Sequence, residues 1–297
     1  MFKRIWKRLG LVAGISLSLL VAGCGSNGGS EGGAADEGKI KLVYVEWDTE
    51  VASAHVIKKV LEDQGFDVDI TPVDNAVMWE SVAKGEADGM VAAWLPATHG
   101  DLYEEYKDQL EDLGPNLEGA KIGLVVPKYM DIQSIEELDQ YAGKKLNKTI
   151  TGIEPGAGVV KSAENAVKTY ESLKGWQVQT SSSGAMATAL GEAYKNKEPI
   201  VVTGWSPHWK FAAYDLKFLE DPKGSFGKEE HISTIVRKGL KEDMPKAYKI
   251  LDQFSWTAED IEQVMLEISE GSDPAKAAED WVEANQGKVA EWTKGVE

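Results

Sequence analysis

Three tryptophans, Trp47, Trp94 and Trp205, each directly follow a short apolar run that reads as a β-strand. An indole left exposed in a loop puts a large apolar face in water, so such a residue either caps a core or meets a ligand. Indole faces carry negative quadrupole potential and attract cations more strongly than the other aromatic rings do. A quaternary ammonium can donate no hydrogen bond, so several ring faces are its natural container. Gly156-Ala157-Gly158, followed by Val159, lies between a predicted strand and a predicted helix. Backbone N–H groups at a helix N-terminus suit an anion, and glycine lets the backbone approach it closely. His99, five residues after Trp94, is a candidate side-chain donor to the same anion. Together these groups describe a zwitterion site: a methylated ammonium among indoles and a carboxylate on N–H donors.

Other chemistries find less support. Gly156-Ala157-Gly158 is not a P-loop, because no Gly-Lys-Ser/Thr follows, and Lys161 occupies the position where a dinucleotide motif needs its third glycine. Ser181-Ser182-Ser183 lacks the flanking glycines of a nucleophile elbow. His55, His99, His208 and His231 have no metal-ligand spacing, so no metal and no cofactor are expected. The net charge of -17 argues against nucleic acid, which demands clustered Lys and Arg. With 42% hydrophobic and 27% charged residues, the chain as a whole reads as globular rather than disordered. Its single Cys precludes an internal disulfide.

The elements that must position these residues alternate strand and helix. Strands are predicted at 41–45, 66–71, 89–94 and 122–126, with helices at 51–64 and 78–84. The second half repeats the order, with strands at 149–153, 177–181 and 199–204 and helices at 159–172 and 184–194. Trp94-Leu95-Pro96 and Trp205-Ser206-Pro207 end comparable strands, and His99 and His208 follow them. Such βαβ repetition predicts an α/β protein of two lobes, each a parallel-rich sheet flanked by helices. Ligands of open parallel sheets sit beyond the carboxyl ends of strands, which is where the three Trp fall. The expected organisation is lobe I at 39–127, lobe II at 128–235, and C-terminal helices at 236–297 that pack on one lobe and contribute no cleft residue.

Residues 1–23 pair an early basic cluster with an apolar run too short to span a bilayer comfortably, the pattern of a signal peptide. Val21-Ala22-Gly23-Cys24 resembles a bacterial lipobox, which implies lipidation of Cys24. After Cys24, residues 25–38 (GSNGGSEGGAADEG) are almost all Gly, Ser, Ala and acid, so 24–38 is expected to be a flexible tether. The folded part is therefore expected on the extracytoplasmic face of the cell membrane, held by a lipid anchor.

The stretches YVEWDTEVAS (44–53), AAWLPATH (92–99), GIEPGAGVV (152–160), SSSGAMATAL (181–190) and TGWSPHW (203–209) resemble substrate-binding proteins of glycine betaine/proline betaine ABC transporters, the OpuAC and ProX type. The resemblance runs from about residue 39 to the end. It implies a two-lobed clamshell of the periplasmic-binding-protein type II kind that closes on a betaine and delivers it to a membrane permease for osmoprotection. It assigns Trp47, Trp94 and Trp205 to the ammonium cage, the N–H groups of Gly158 and Val159 to the carboxylate, and His99 to the side-chain donor. It implies a monomeric, non-enzymatic protein. Carnitine and choline are alternative ligands; relatives that prefer choline tend to carry Tyr in the cage. Competing readings are an esterase on the same architecture, an adhesive surface protein, and an amino-acid binder, for which Glu46 and Asp48 are the candidate ammonium partners.

Overall fold

In β1 (Lys39–Tyr44) the residues alternate exposed and buried, then become continuously buried from Leu42, as a strand entering a covered sheet must. Asp48 and Glu50 stand in the first turn of α1 (Asp48–Asp63), where the helix dipole favours negative charge, and nine of its residues are buried. β2 (Asp67–Pro72), α2 (Asn75–Ala83) and the wholly buried β3 (Gly89–Leu95) complete two βαβ units. α3 (Gly100–Tyr106) then leads to the long β4 (Leu110–Pro127). The second set comprises β5 (Thr149–Thr151), α4 (Gly158–Thr169), β6 (Gln177–Gln179), α5 (Ser183–Lys195) and β7 (Val202–Ser206). α6 (Lys210–Ala213), β8 (Leu216–Phe218) and β9 (Glu230–Arg237) follow. The chain closes with α7 (Leu240–Asp243), α8 (Pro245–Gln253), α9 (Ala258–Ser269), α10 (Pro274–Ala284) and α11 (Gln286–Trp292).

This computed structural model describes residues 37–141, 143 and 146–296. Cys24, the signal peptide expected at 1–23 and nearly all of the tether expected at 24–38 lie outside the described residues. Glu37 is already held, by a bond from its N–H to the Gly65 carbonyl (3.2 Å) and an ion pair with Lys246 (3.1 Å).

Each lobe is built on parallel pairs, β2–β1–β3 in the first and β6–β5–β7 in the second. Antiparallel pairs occur where the chain crosses between lobes. β4 pairs with β9 over Leu110–Ala120, then with β7 over Lys121–Val125, so it leaves the first sheet and enters the second as one strand. The chain returns between β8, paired with β4, and β9, paired with β3. The lobe limits therefore differ from the expected 39–127 and 128–235. Residues 121–127 belong to the second sheet, and β9 belongs to the first. Hydrophobic runs mark a strand but not the sheet it joins, which is why the sequence misplaced both. The sequence analysis predicts no strand over the first half of β4, where Gly114, Pro115 and Gly119 interrupt the apolar pattern. The ladder tolerates them through register shifts at Asp112/Gly114, Pro115/Leu117 and Glu118/Ala120.

The C-terminal helices pack on the first lobe, with α9 and α10 against α1. Their core joins Phe254, Trp256, Trp281 and Trp292, the last two stacked with ring centres 5.7 Å apart. The expectation that they contribute nothing to the cleft is corrected. Met265 and Ile268 of α9 share the outer cleft with Asp48 and Ser183, because packing on α1 carries α9 to the edge of the opening.

A capping box starts α9: Thr257 accepts from the Asp260 N–H (3.3 Å), and Asp260 accepts from the Thr257 N–H (2.9 Å). Thr257→Ala is expected to destabilise the fold by about 1 kcal/mol, read from chemical denaturation.

Candidate ligand site between the lobes

Trp47 precedes the first residue of α1, and Trp94 is the penultimate residue of β3. Trp205, the penultimate residue of β7, enters from the other lobe. All three are more than nine-tenths buried, and all three line one cavity. His99, Gly158 and Val159 line the same cavity, with Thr49, Thr98, Ile122, Ile153 and Ala157. Every sequence-predicted ligand residue is thus brought to one place. Trp94 and Trp205 sit inside their strands rather than after them. The Leu95–Pro96 and Ser206–Pro207 bonds that follow are both cis.

The polar groups of the cavity are arranged as donors. His99 Nδ1 accepts from the Trp94 N–H (3.1 Å), which assigns the ring proton to Nε2. Nε2 is buried and has no partner among the described residues. Burial, with a smaller contribution from the charge on Lys161, pushes the imidazole down to about 3. His99 is therefore a neutral donor at ordinary pH. Its ring stacks on Trp47 at 5.7 Å, and Trp79 meets it edge-on at 5.9 Å. Gly158 and Val159 are the first two residues of α4, whose leading N–H groups lie outside the helix's own ladder. Gly156 supplies the positive φ of +90° with which the preceding loop turns into the helix.

The lining carries no Asp, Glu, Lys or Arg. Asp48, a candidate ammonium partner in the amino-acid reading, is engaged elsewhere. It accepts from Ser183 Oγ and Trp209 Nε1, both at 2.7 Å, and lies 3.4 Å from His208 Nε2. Burial alone would raise its carboxyl, but these partners hold it well below the usual carboxylate range. Glu46 is exposed and lines only the outer cleft. Asp48 instead joins the lobes outside the cavity, as does the bond from Trp47 Nε1 to the Glu154 carboxylate. Trp209 is a donor on that seam.

Sequence reasoning missed the supports of the site. Glu230 on β9 takes the N–H groups of Ala97 and Thr98, each at 2.7 Å, and the Thr98 hydroxyl. It thereby shapes the loop that carries His99. Glu50, 1% exposed, takes the Trp94 Nε1–H at 2.7 Å, and burial pushes its carboxyl up to about 7. Lys210 is fully buried beside Trp205 and pushed down to about 7 by burial. Only the type of each residue was visible beforehand; the partners lie up to 133 positions apart. No three His, Cys, Asp or Glu among the described residues are grouped to hold a metal. No described helix is long and apolar enough to cross a membrane.

Comparisons with known proteins agree on one group. The family described as the substrate binding domain of ABC-type glycine betaine transport system matches residues 38–284. A glycine betaine/carnitine transport binding protein, GbuC, of Listeria monocytogenes is 56% identical over 156 residues, covering 52% of each chain. The match thus spans about half the length of that relative. Among solved structures, lactococcal OpuAC in its closed-liganded conformation with glycine betaine aligns with a TM-score of 0.83 and 54% identity. That alignment covers 86% of this chain and 99% of that one. An ABC-transporter choline binding protein in complex with choline gives 0.81 and 26% identity, covering 86% and 92%.

Two outcomes follow from the geometry. A Cβ at Gly158 would lie 2.5 Å from the Thr98 carbonyl oxygen across the cleft, although the Gly158 backbone suits any residue. Gly158→Ala is therefore expected to hold the lobes apart and weaken ligand binding at least about tenfold. Unliganded thermal stability should be preserved, since Ala is the better helix former. Titration calorimetry and thermal unfolding check the two halves. His99 is a base whose pKa is depressed in the closed form. Its contribution to closure is complete above its ordinary 6.5 and is lost as pH falls toward 3. Calorimetry at about pH 7.5 and about pH 5 should show weaker binding at the lower value, and His99→Gln should flatten that difference.

Proposed function

The chain belongs to the family of substrate-binding domains of ABC-type glycine betaine transport systems, and we propose that it captures glycine betaine and related betaines outside the cytoplasm and delivers them to a membrane permease. The observation that carries this reading is the chemistry of the cavity lining. Three indoles, a neutral His99 donor and the leading N–H groups of α4 surround a space that no lining carboxylate enters. A primary ammonium placed there would lose its hydration without gaining an acceptor carboxylate, which is costly. A trimethylammonium has no N–H to satisfy, and its methyl groups gain by burial.

In this assignment Trp47, Trp94 and Trp205 hold the cation, while Gly158, Val159 and His99 hold the carboxylate. Trp47 and Trp94 come from one lobe and Trp205 and α4 from the other, so neither half-site is complete. Ligand contacts then favour the closed arrangement and shift the population toward it. The cycle is binding and release, with no covalent step. We assign the N-terminal segment to export and Cys24 to a lipid anchor. The protein works on the extracytoplasmic face of the membrane, as a monomer alongside its permease.

Choline shares the cation but lacks the carboxylate. Its capture would leave His99 Nε2 and the α4 N–H groups buried without partners, and sites built for such bonds reject analogues that lack them. Carnitine keeps both charges and is the second ligand in this reading.

Titration calorimetry with the three ligands tests the assignment. Glycine betaine is expected to bind at least about 100-fold more tightly than choline. Trp47→Ala, Trp94→Ala and Trp205→Ala are each expected to cost about 0.5–2 kcal/mol of betaine binding. Unchanged betaine affinity in all three variants would remove the cage from the mechanism.

A further inference from the structure

Two carboxylates stand behind the indoles without lining the cavity. Glu50 Oε1 accepts from Trp94 Nε1 at 2.7 Å, and its other oxygen takes the Thr49 hydroxyl. Glu154 accepts from Trp47 Nε1 across the cleft. Trp205 differs: its Nε1 has no acceptor among the described residues, and the Lys210 ammonium nitrogen lies 4.2 Å from its ring centre. Ring faces attract cations through their electron density. A negative acceptor on the indole N–H polarises the ring in the favourable sense and adds its own field in a low-dielectric surrounding.

Resting on the proposed function above, we infer that Glu50 and Glu154 are specificity-determining positioning residues, which act through Trp94 and Trp47 to make the cage select a positively charged trimethylammonium over a neutral group of the same shape. The choice of acid is the informative part. A glutamine or a backbone carbonyl would satisfy either N–H just as well. At Glu50 it would also avoid the penalty that burial imposes on the ionised carboxyl, visible in a pKa held near 7. The acid therefore supplies something beyond the hydrogen bond, and charge is what a neutral acceptor lacks. The two acids come from opposite sides of the cleft, so the cage has its full negative field only when Trp47 reaches Glu154. Neither carboxylate lines the cavity, which keeps both from direct contact with the ligand's own carboxylate.

The experiment compares wild type, Glu50→Gln and Glu154→Gln by titration calorimetry at about pH 8, above the range in which Glu50 ionises. Two ligands are used: glycine betaine and 3,3-dimethylbutyrate, in which carbon replaces the quaternary nitrogen, the latter titrated at millimolar concentration to saturation. Each variant is expected to lose about tenfold in betaine affinity while its dimethylbutyrate affinity stays at the wild-type value. Equal losses for both ligands would mean that the acids only hold the rings in place, and would overturn the inference. Unchanged betaine affinity in both variants would overturn it as well. A wild type that fails to bind betaine would instead bring down the functional reading on which it rests.

Discussion

A quaternary ammonium offers a protein no hydrogen bond, so it leaves water only for a surface that is apolar and electrostatically negative together. Indole faces meet both conditions. In the proposed reading, that requirement accounts for the make-up of the site. The lining contains three indoles and no acid, and Glu154 and Glu50 are bonded to the ring nitrogens of Trp47 and Trp94 outside the lining. The fold's task is to bring ring faces from two lobes together and to exclude water from the space between them.

The seam between the lobes shows how this is done. Asp48 gathers Ser183, Trp209 and His208 from the second lobe, and Thr98 rests against the bare Cα of Gly158. Asp48, Gly158 and Ser183 each open a helix, while Thr98, His208 and Trp209 lie in the turns that follow β3 and β7. Asp48 and Ser183 line the outer cleft, while His208 is buried beneath them. The cavity itself keeps only neutral donors. His99 contributes a proton on Nε2 because Nδ1 is already committed to the Trp94 backbone.

The elements of the fold were largely legible, because βαβ units announce themselves through apolar runs alternating with helical periodicity. Trp47, Trp94 and Trp205 were legible because large apolar residues at strand ends have few inexpensive places to go. The supports were not. Glu230, Glu50 and Glu154 look like any acids of an acidic chain, and nothing in their local pattern says which N–H each will accept. The first half of β4 was hidden by its glycines and Pro115, which a bulged ladder accommodates and a regular strand would not.

The sequence by itself determined the residue types at the site, the α/β class and the two-fold repetition of strand, turn and helix. These are set by local sterics and by periodicity, which act within a few turns of chain. Tertiary structure alone decided that β4 passes from one sheet to the other, that β9 returns to the first, and that Asp48 serves the seam while Glu50 and Glu154 bond Trp94 and Trp47. Those outcomes depend on contacts between residues more than 40 and as many as 161 positions apart. Such contacts acquire a free energy only once the intervening chain has been ordered.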